Sequence, residues 1–266
     1  MKQTSNKTVK KTKRTIAAFL AAVTVLTAFA GCSGKDEESS SSSQNSTVSS
    51  DSNSSSSSSS SQTENLSTTN DDEFAYYLTD DEQSYVVSVY DGEDAAVFNI
   101  PSEHDGLKVT EISGRAYDTR EDIVEVNIPD TITKIGYHAF TLCPNIESVN
   151  MGNGVEIIED RAFHGCSKLS ELTLSESLKE IQFSSFANCT SLKKVTIPDG
   201  VTKIEEIAFG GCTSLEEIHI PASVTEMLGS DQSGVFASCD KLTIYAPAGS
   251  YAEQYAKDND IPFVAE

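Results

Sequence analysis

Apolar residues recur along the second half of the chain with a period of 23 residues, interrupted by one longer step. Each period carries a stretch in which apolar and polar residues alternate, the pattern of a strand with one buried face. The apolar columns are Ile123, Ile146, Leu169, Leu192, Leu215 and Leu242; Val126, Val149, Leu172, Val195 and Ile218; and Ile128, Met151, Leu174, Ile197 and Ile220. A fixed period of this length indicates a solenoid, in which each coil buries its apolar side chains against its neighbours.

Cysteine follows the same period. Cys143, Cys166, Cys189 and Cys212 are each 23 residues apart, and Cys239 follows after 27, which places a four-residue insertion at residues 228–234. We interpret the five as core thiols, because a buried free cysteine packs as a small apolar side chain. Disulfides between stacked coils stay open as an alternative, since Cα separations of roughly 4.4–6.8 Å allow them. Metal ligation requires side chains that converge, which a linear column does not provide.

The pattern also predicts how the coils are built and closed. Stacked alternating stretches form a parallel sheet, and Pro129, Pro198 and Pro221 end their strands because proline cannot continue the ladder. A second short extended segment and an Ala-Phe pair complete each coil. Two alternating runs between residues 74 and 100, separated by the turn-rich residues 91–94, predict an N-terminal hairpin cap. The helical spacing of residues 250–257 predicts a short C-terminal capping helix.

The repeated C-x-x-L-x-x-V-x-I-P and I-x-x-x-A-F runs resemble the bacterial BspA-like leucine-rich repeat family, common among surface proteins. Departures include Arg120 in place of the first cysteine and Ser185-Phe186 in place of one Ala-Phe pair. The predicted fold is therefore a leucine-rich repeat solenoid, with a parallel β-sheet from about six 23-residue coils. We predict a repeat domain at residues 71–266, comprising the N-terminal cap 71–101, repeats 102–245 and the C-terminal cap 246–266.

The N-terminal region reads as an export signal followed by a linker. Six basic residues precede a fifteen-residue apolar stretch, which is short for a membrane span and typical of a signal peptide at residues 1–31. The sequence Leu-Thr-Ala-Phe-Ala-Gly-Cys, ending at Cys32, resembles a bacterial lipoprotein box, which implies cleavage before Cys32 and lipidation of its sulfur. Ordinary secretion with a free Cys32 is the alternative. Residues 32–70 are dominated by serine and predict a disordered linker.

The net charge and the absence of catalytic motifs narrow the range of possible functions. The net charge of −22 becomes −28 once the six basic residues of the signal are removed, which leaves 13 basic against 41 acidic residues. Such a surface disfavours nucleic acids. The sequence contains no nucleophile elbow, HExxH, P-loop or dinucleotide fingerprint, so we predict no enzyme activity, no cofactor and no metal site. We expect His104, His138, His164 and His219 to be solvated or rim histidines and the protein to be a monomer.

The outward positions of the predicted sheet are the candidate binding surface, since solenoids use regular arrays of this kind for extended recognition. Neither of its two columns contains an aromatic residue, which argues against sugar stacking. The first column comprises Glu125, Ser148, Glu171, Lys194 and Glu217, and the second Asn127, Asn150, Thr173, Thr196 and His219.

Three functions are compatible with these features. The resemblance favours a lipid-anchored protein on the bacterial cell surface, outside the cytoplasm, that binds an extracellular protein or mediates adhesion. A carbohydrate- or wall-binding envelope lipoprotein is the second, and an aromatic platform around Tyr76, Tyr77, Tyr85 and Tyr90 would favour it. A non-catalytic accessory subunit of a membrane complex is the third.

Overall fold

The computed structural model describes residues 69–92, 94–229 and 233–266, which belong to a compact unit, Ser61–Glu266. The predictions for the signal peptide, for Cys32 and for nearly all of the serine-rich linker lie outside the described residues. Within them the predicted fold class is confirmed: the chain is a parallel β-solenoid with coils of about 23 residues and about eight turns. The turns outnumber the predicted six because both caps also contribute strands to the sheets.

One wall of the solenoid, which we call the back sheet, has nine strands. Its order is β1-β2-β5-β7-β9-β11-β13-β15, with β4 paired to β5. The pairs β1–β2 and β4–β5 are antiparallel and the others parallel. The strands are β1 (Phe74–Leu78), β2 (Tyr85–Tyr90), β4 (Glu103–His104), β5 (Leu107–Ile112), β7 (Lys134–Ile135), β9 (Ile157–Ile158), β11 (Glu180–Ile181), β13 (Lys203–Ile204) and β15 (Glu226–Met227).

The opposite wall, the front face, holds the alternating stretches that the sequence predicts as strands. They form two four-stranded parallel sheets, β10-β8-β6-β3 and β12-β14-β16-β17, so the ladder is divided between β10 and β12. These strands are β3 (Val97–Asn99), β6 (Glu125–Ile128), β8 (Ser148–Met151), β10 (Glu171–Thr173), β12 (Lys194–Thr196), β14 (Glu217–His219), β16 (Thr243–Ala246) and β17 (Phe263–Ala265).

A column of stacked phenylalanine rings runs through the core. Neighbouring ring centroids are 5.2–6.0 Å apart and the rings are within 23° of parallel, which lets each coil cover the ring of the next. The column comprises Phe140, Phe163, Phe186, Phe209 and Phe236. Because the inward residues of the front and back sheets pack around it, one continuous hydrophobic core joins the coils.

The cysteines form a second column inside the solenoid. The Cys143 thiol donates to the carbonyl of Tyr117 at 3.1 Å, and the Cys166 thiol donates to the carbonyl of Phe140 at 3.3 Å. Each later cysteine makes the same contact with the aromatic residue one coil earlier, at 3.2–3.4 Å. All five are free thiols, four fully buried and Cys239 half-buried, which supports the interpretation as core residues.

Two repeated positions at the corners of the coils have a left-handed backbone. At Gly165, where φ is +76°, an added Cβ would lie 2.7 Å from the end of the Leu142 side chain, so a larger residue there would be strained and Leu142 would have to move. Asn188, at the same position one coil later, is a residue type that tolerates this region. The two columns are Arg115, His138, Arg161, Ser184 and Ile207, and Thr119, Leu142, Gly165, Asn188, Gly211 and Ser238.

Both ends of the solenoid are capped. The N-terminal cap does contain a hairpin, but the predicted turn at residues 91–94 is wrong: the hairpin consists of β1 and β2, joined at residues 79–84. The second predicted run forms β3 on the front face, where it pairs in parallel with β6 and not with the first run. Thr69 closes the outer edge of β3, donating its backbone N–H to the carbonyl of Val97 at 3.2 Å. A 3₁₀ turn, Asp71–Glu73, precedes β1.

The C-terminal cap is the predicted helix, α1 (Tyr251–Asp258). Ser250 is its N-cap, since the Ser250 side chain accepts from the backbone N–H of Glu253. Ala252, Tyr255 and Ala256 are buried against the last coil. Within residues 69–92, 94–229 and 233–266 no helix has the length and apolar character that a bilayer crossing requires. With both ends covered and one core throughout, this unit has what it needs to fold on its own.

Candidate interaction surface

The structure places all ten predicted site residues on the outside of the front face. The register aligns Glu125, Ser148 and Glu171 on one sheet and Lys194 and Glu217 on the other. The residues between the two columns point inward, and all are buried except Leu172, which is half-buried beside the division of the ladder. The two predicted columns are therefore present as rows of aligned side chains, and the division between β10 and β12 splits each row into two parts.

The N-terminal part of the second column is an amide ladder. Asn127 donates to the side-chain oxygen of Asn99 at 3.0 Å, and Asn150 donates to that of Asn127 at 3.0 Å. The Asn127 amide also donates to Glu125 at 2.8 Å, which joins the two columns. Asn99 was not among the predicted residues because it lies in the assigned cap. The ladder holds these amides in fixed orientations, so a partner would find an ordered surface.

The C-terminal part of the columns carries charge. Lys194 forms an ion pair with Glu217 at 2.9 Å, and this hydrogen bond lowers the pKa of Glu217. His219 Nδ1 lies 2.8 Å from Glu266 Oε1. The His219 ring stacks on Tyr245 with centroids 4.9 Å apart.

Two residues that the sequence analysis did not assign to this surface, Tyr245 and Glu266, also belong to it. The register continues the second column from its fifth residue, His219, to Tyr245. The five predicted residues include no aromatic side chain, but the complete column does, so the prediction is wrong for the column as a whole. Tyr245 lies 26 residues after His219, three more than the repeat period, so the 23-residue spacing does not reach it. Glu266 follows β17, and no repeat pattern predicts that strand's return to the front face.

The division of the ladder opens a cleft between β10 and β12. Its volume is about 470 Å³, and Leu172 and Leu174 lie at its apolar base. Glu171, Glu176 and Lys194 line it as well. The front face is therefore uneven, in contrast to the flat array that six equivalent coils would form.

The four tyrosines proposed as an aromatic platform lie in different environments. Tyr90 is buried in the core, and its hydroxyl donates to Glu73 at 2.8 Å. Tyr76 stacks on His104 with centroids 3.8 Å apart, and burial raises the Tyr76 pKa to about 12. Tyr77 is half-exposed, with its hydroxyl 3.2 Å from Ser113. Tyr85 lies edge-on to Tyr76 with ring centroids 6.1 Å apart, so the structure brings these two rings together, while Tyr90 is buried and Tyr77 lies outside the pair.

The groups with the chemistry for catalysis or metal binding are separated or buried. Burial raises the pKa of Cys143 to about 12 and that of Cys239 to about 11, so these thiols carry little thiolate at neutral pH. Burial lowers the pKa of both His138 and His164. Among the residues that the structure describes, no three His, Cys, Asp or Glu side chains are grouped to hold a metal ion.

Comparisons with known proteins agree with this geometry. The leucine-rich repeat protein of T. pallidum is 29% identical with a TM-score of 0.59, over 66% of this chain and 80% of that one. A leucine-rich repeat protein from Bacteroides ovatus is 32% identical with a TM-score of 0.57, over 65% of this chain and 45% of that one. The curated proteins give no match. The BspA type leucine rich repeat region matches residues 110–243 in six copies, and the chain therefore belongs to the BspA-type leucine-rich repeat family.

Proposed function

We propose that the protein is a lipid-anchored, extracytoplasmic surface protein whose repeat domain binds other proteins through the front face. The observation that carries this proposal is the pair of side-chain columns, ordered by the amide ladder at one end and, at the other, by the Lys194–Glu217 ion pair and the His219–Glu266 contact. Ordered polar arrays on a solenoid provide an extended recognition surface without a deep pocket. Leucine-rich repeat solenoids are generally non-catalytic scaffolds, and a binding role without enzyme activity fits the separated titratable groups.

The anchor is the second part of the proposal and rests on the sequence. The basic N-terminus, the apolar stretch and the cysteine motif support lipidation at Cys32, and several acyl chains on one residue would hold the protein firmly. In the bacterial host, Cys32→Ser is expected to move the protein from the membrane fraction to the soluble fraction. Mass spectrometry of the mature N-terminus would show the acyl modification. Membrane retention of the variant would contradict the anchor.

The binding role is tested with residues 61–266 on immobilised host matrix proteins. A front variant carries Glu125→Lys, Glu171→Lys and Glu217→Lys. A back variant carries the matched changes Glu156→Lys, Glu180→Lys and Glu226→Lys on the opposite wall. Binding that the front variant loses and the back variant keeps would support the proposal. Equal loss in both would indicate a general charge effect, and binding that both retain would move the site away from the sheets.

Carbohydrate binding is a second candidate because of one side chain. Tyr137 is half-exposed, and its ring lies so close to Gly114 that a Cβ at that position would clash with it. The Arg115 guanidinium is 5.9 Å from the ring centroid. A supported aromatic face beside an arginine is suited to a sugar ring with polar substituents. Binding to polysaccharides that Tyr137→Ala abolishes, and that the front variant retains, would favour this function.

A further inference from the structure

A pocket of about 490 Å³ lies at the C-terminal end of the front face. It arises because the second column changes from large to small side chains, from the stacked rings of Tyr245 and His219 to Thr196. The register places Thr196 on the side of His219 opposite to Tyr245, so one side of the imidazole borders the pocket. Ile197, Ile220 and Pro221 contribute apolar lining. A concave site with apolar lining and a few convergent polar groups is suited to binding a compact ligand group.

The charge of this pocket is negative. Asp199 and Glu266 line it, and Glu217 lies beside it. Lys194 is the basic residue of the lining, and its ammonium is already paired with Glu217 at 2.9 Å. The His219 Nε2 atom is buried and has no hydrogen-bond partner among the described residues, with the nearest Glu217 oxygen 3.8 Å away. Glu266 uses Oε1 to contact His219 Nδ1 at 2.8 Å, so the Asp199 carboxylate and the Oε2 atom of Glu266 are the groups of this pocket that can attract a cation.

We propose that this pocket, the arginine site, binds an arginine side chain of a protein partner, an inference that rests on the proposed protein-binding function. The aliphatic part of arginine would cover the apolar lining, as long basic side chains do on apolar surfaces. The guanidinium would face Asp199 and Glu266, since its fixed fork of donors matches carboxylates, and its flat face would stack on His219. The net charge of −28 that remains without the six basic residues of the signal would attract basic surfaces.

The test is an NMR titration of residues 61–266 at fixed pH 7.5 with N-acetyl-arginine methylamide. Its neutral isostere, the citrulline analogue, is the matched ligand. We expect saturable shifts of the His219 ring signals with arginine, with a dissociation constant on the order of millimolar, and at least about tenfold weaker binding of citrulline. Absence of saturable shifts, or equal binding of the two ligands, would overturn the proposal.

Two double variants locate the binding. Asp199→Asn with Glu266→Gln removes both pocket carboxylates and should weaken arginine binding roughly tenfold. Glu147→Gln with Glu156→Gln changes the net charge equally at exposed positions outside the pocket and should leave the affinity unchanged. Equal weakening in both, or no weakening in the pocket variant, would refute the assignment.

The arginine titration and the protein-binding experiment can fail independently of each other. If the matrix proteins do not bind while the arginine ligand does, the arginine site stands and the proposed protein-binding role loses its support. If a matrix protein binds through the front face while the arginine ligand gives no shift, the protein-binding role stands and the arginine site is wrong.

Discussion

Truncation of Phe186 tests whether the stacked rings hold the coils together. The Phe186 side chain is fully buried, and its ring lies 5.5 Å from both Phe163 and Phe209. A buried phenylalanine removes about 150–250 Å² from water, which at about 25 cal/mol per Å² corresponds to roughly 4–6 kcal/mol. Core Phe→Ala substitutions cost about 3–5 kcal/mol. We expect Phe186→Ala to lower the free energy of unfolding by about 4 kcal/mol.

The matched control is Phe183→Ala, three residues earlier in the same coil. Phe183 is half-buried, and its main partner is the Arg161 guanidinium 4.8 Å from the ring centroid. Loss of this cation–π contact and of partial burial should cost about 1 kcal/mol. The two variants therefore make the same chemical change at positions inside and outside the ring column.

Urea unfolding followed by circular dichroism measures both effects. With a denaturant dependence of about 2 kcal/mol per M, Phe186→Ala should lower the midpoint by about 2 M and Phe183→Ala by about 0.5 M. Equal shifts, or a shift under about 0.5 M for Phe186→Ala, would show that the ring column is not a main source of stability.

Three further predictions concern the thiols, the corners and acid. At pH 8 the five thiols of folded residues 61–266 should resist alkylation, with Cys239 reacting first and all five reacting in urea, as mass spectrometry would show. Gly165→Ala should lower the melting temperature more than Gly249→Ala. Both glycines have left-handed φ, but only the Cβ at Gly165 meets a neighbour within 4 Å; equal losses would refute the steric argument. Lys194 lowers the pKa of Glu217 below 4.5, so the stabilisation is present above about pH 4.5 and lost as pH falls through the lowered pKa. The stability difference between the native chain and Glu217→Gln should shrink in that direction, and a difference that grows in acid would contradict the ion pair.

The repeated columns made most of the fold predictable. Inward positions such as Val126 and Val149 are buried because the 23-residue period brings equivalent residues into register, and the same period correctly aligned Glu125 with Ser148. Ser250 and the spacing after it predicted the capping helix, because both signals are local to the sequence.

Features that depend on unrepeated residues were not predictable in this way. The division between β10 and β12 depends on how two particular coils meet, and the hairpin turn lies in a polar segment that competes with a second turn-rich segment at residues 91–94. Tyr245 reaches the second column only across the insertion, and Glu266 only through the return of β17. Each of these contacts joins residues that share no period.

The cysteine contacts explain how such a chain can change length. In four coils the cysteine lies 26 residues after the residue whose carbonyl accepts from its thiol. Cys239 lies 30 residues after its acceptor, Phe209, and the Sγ–oxygen distance is still 3.2 Å. The extra residues leave this contact unchanged, so this corner tolerates insertion. A duplicated segment of 23 residues would likewise carry one thiol and one acceptor, and would restore the thiol–carbonyl contact at both of its boundaries. Gene duplication can therefore lengthen the protein coil by coil without requiring a new interface.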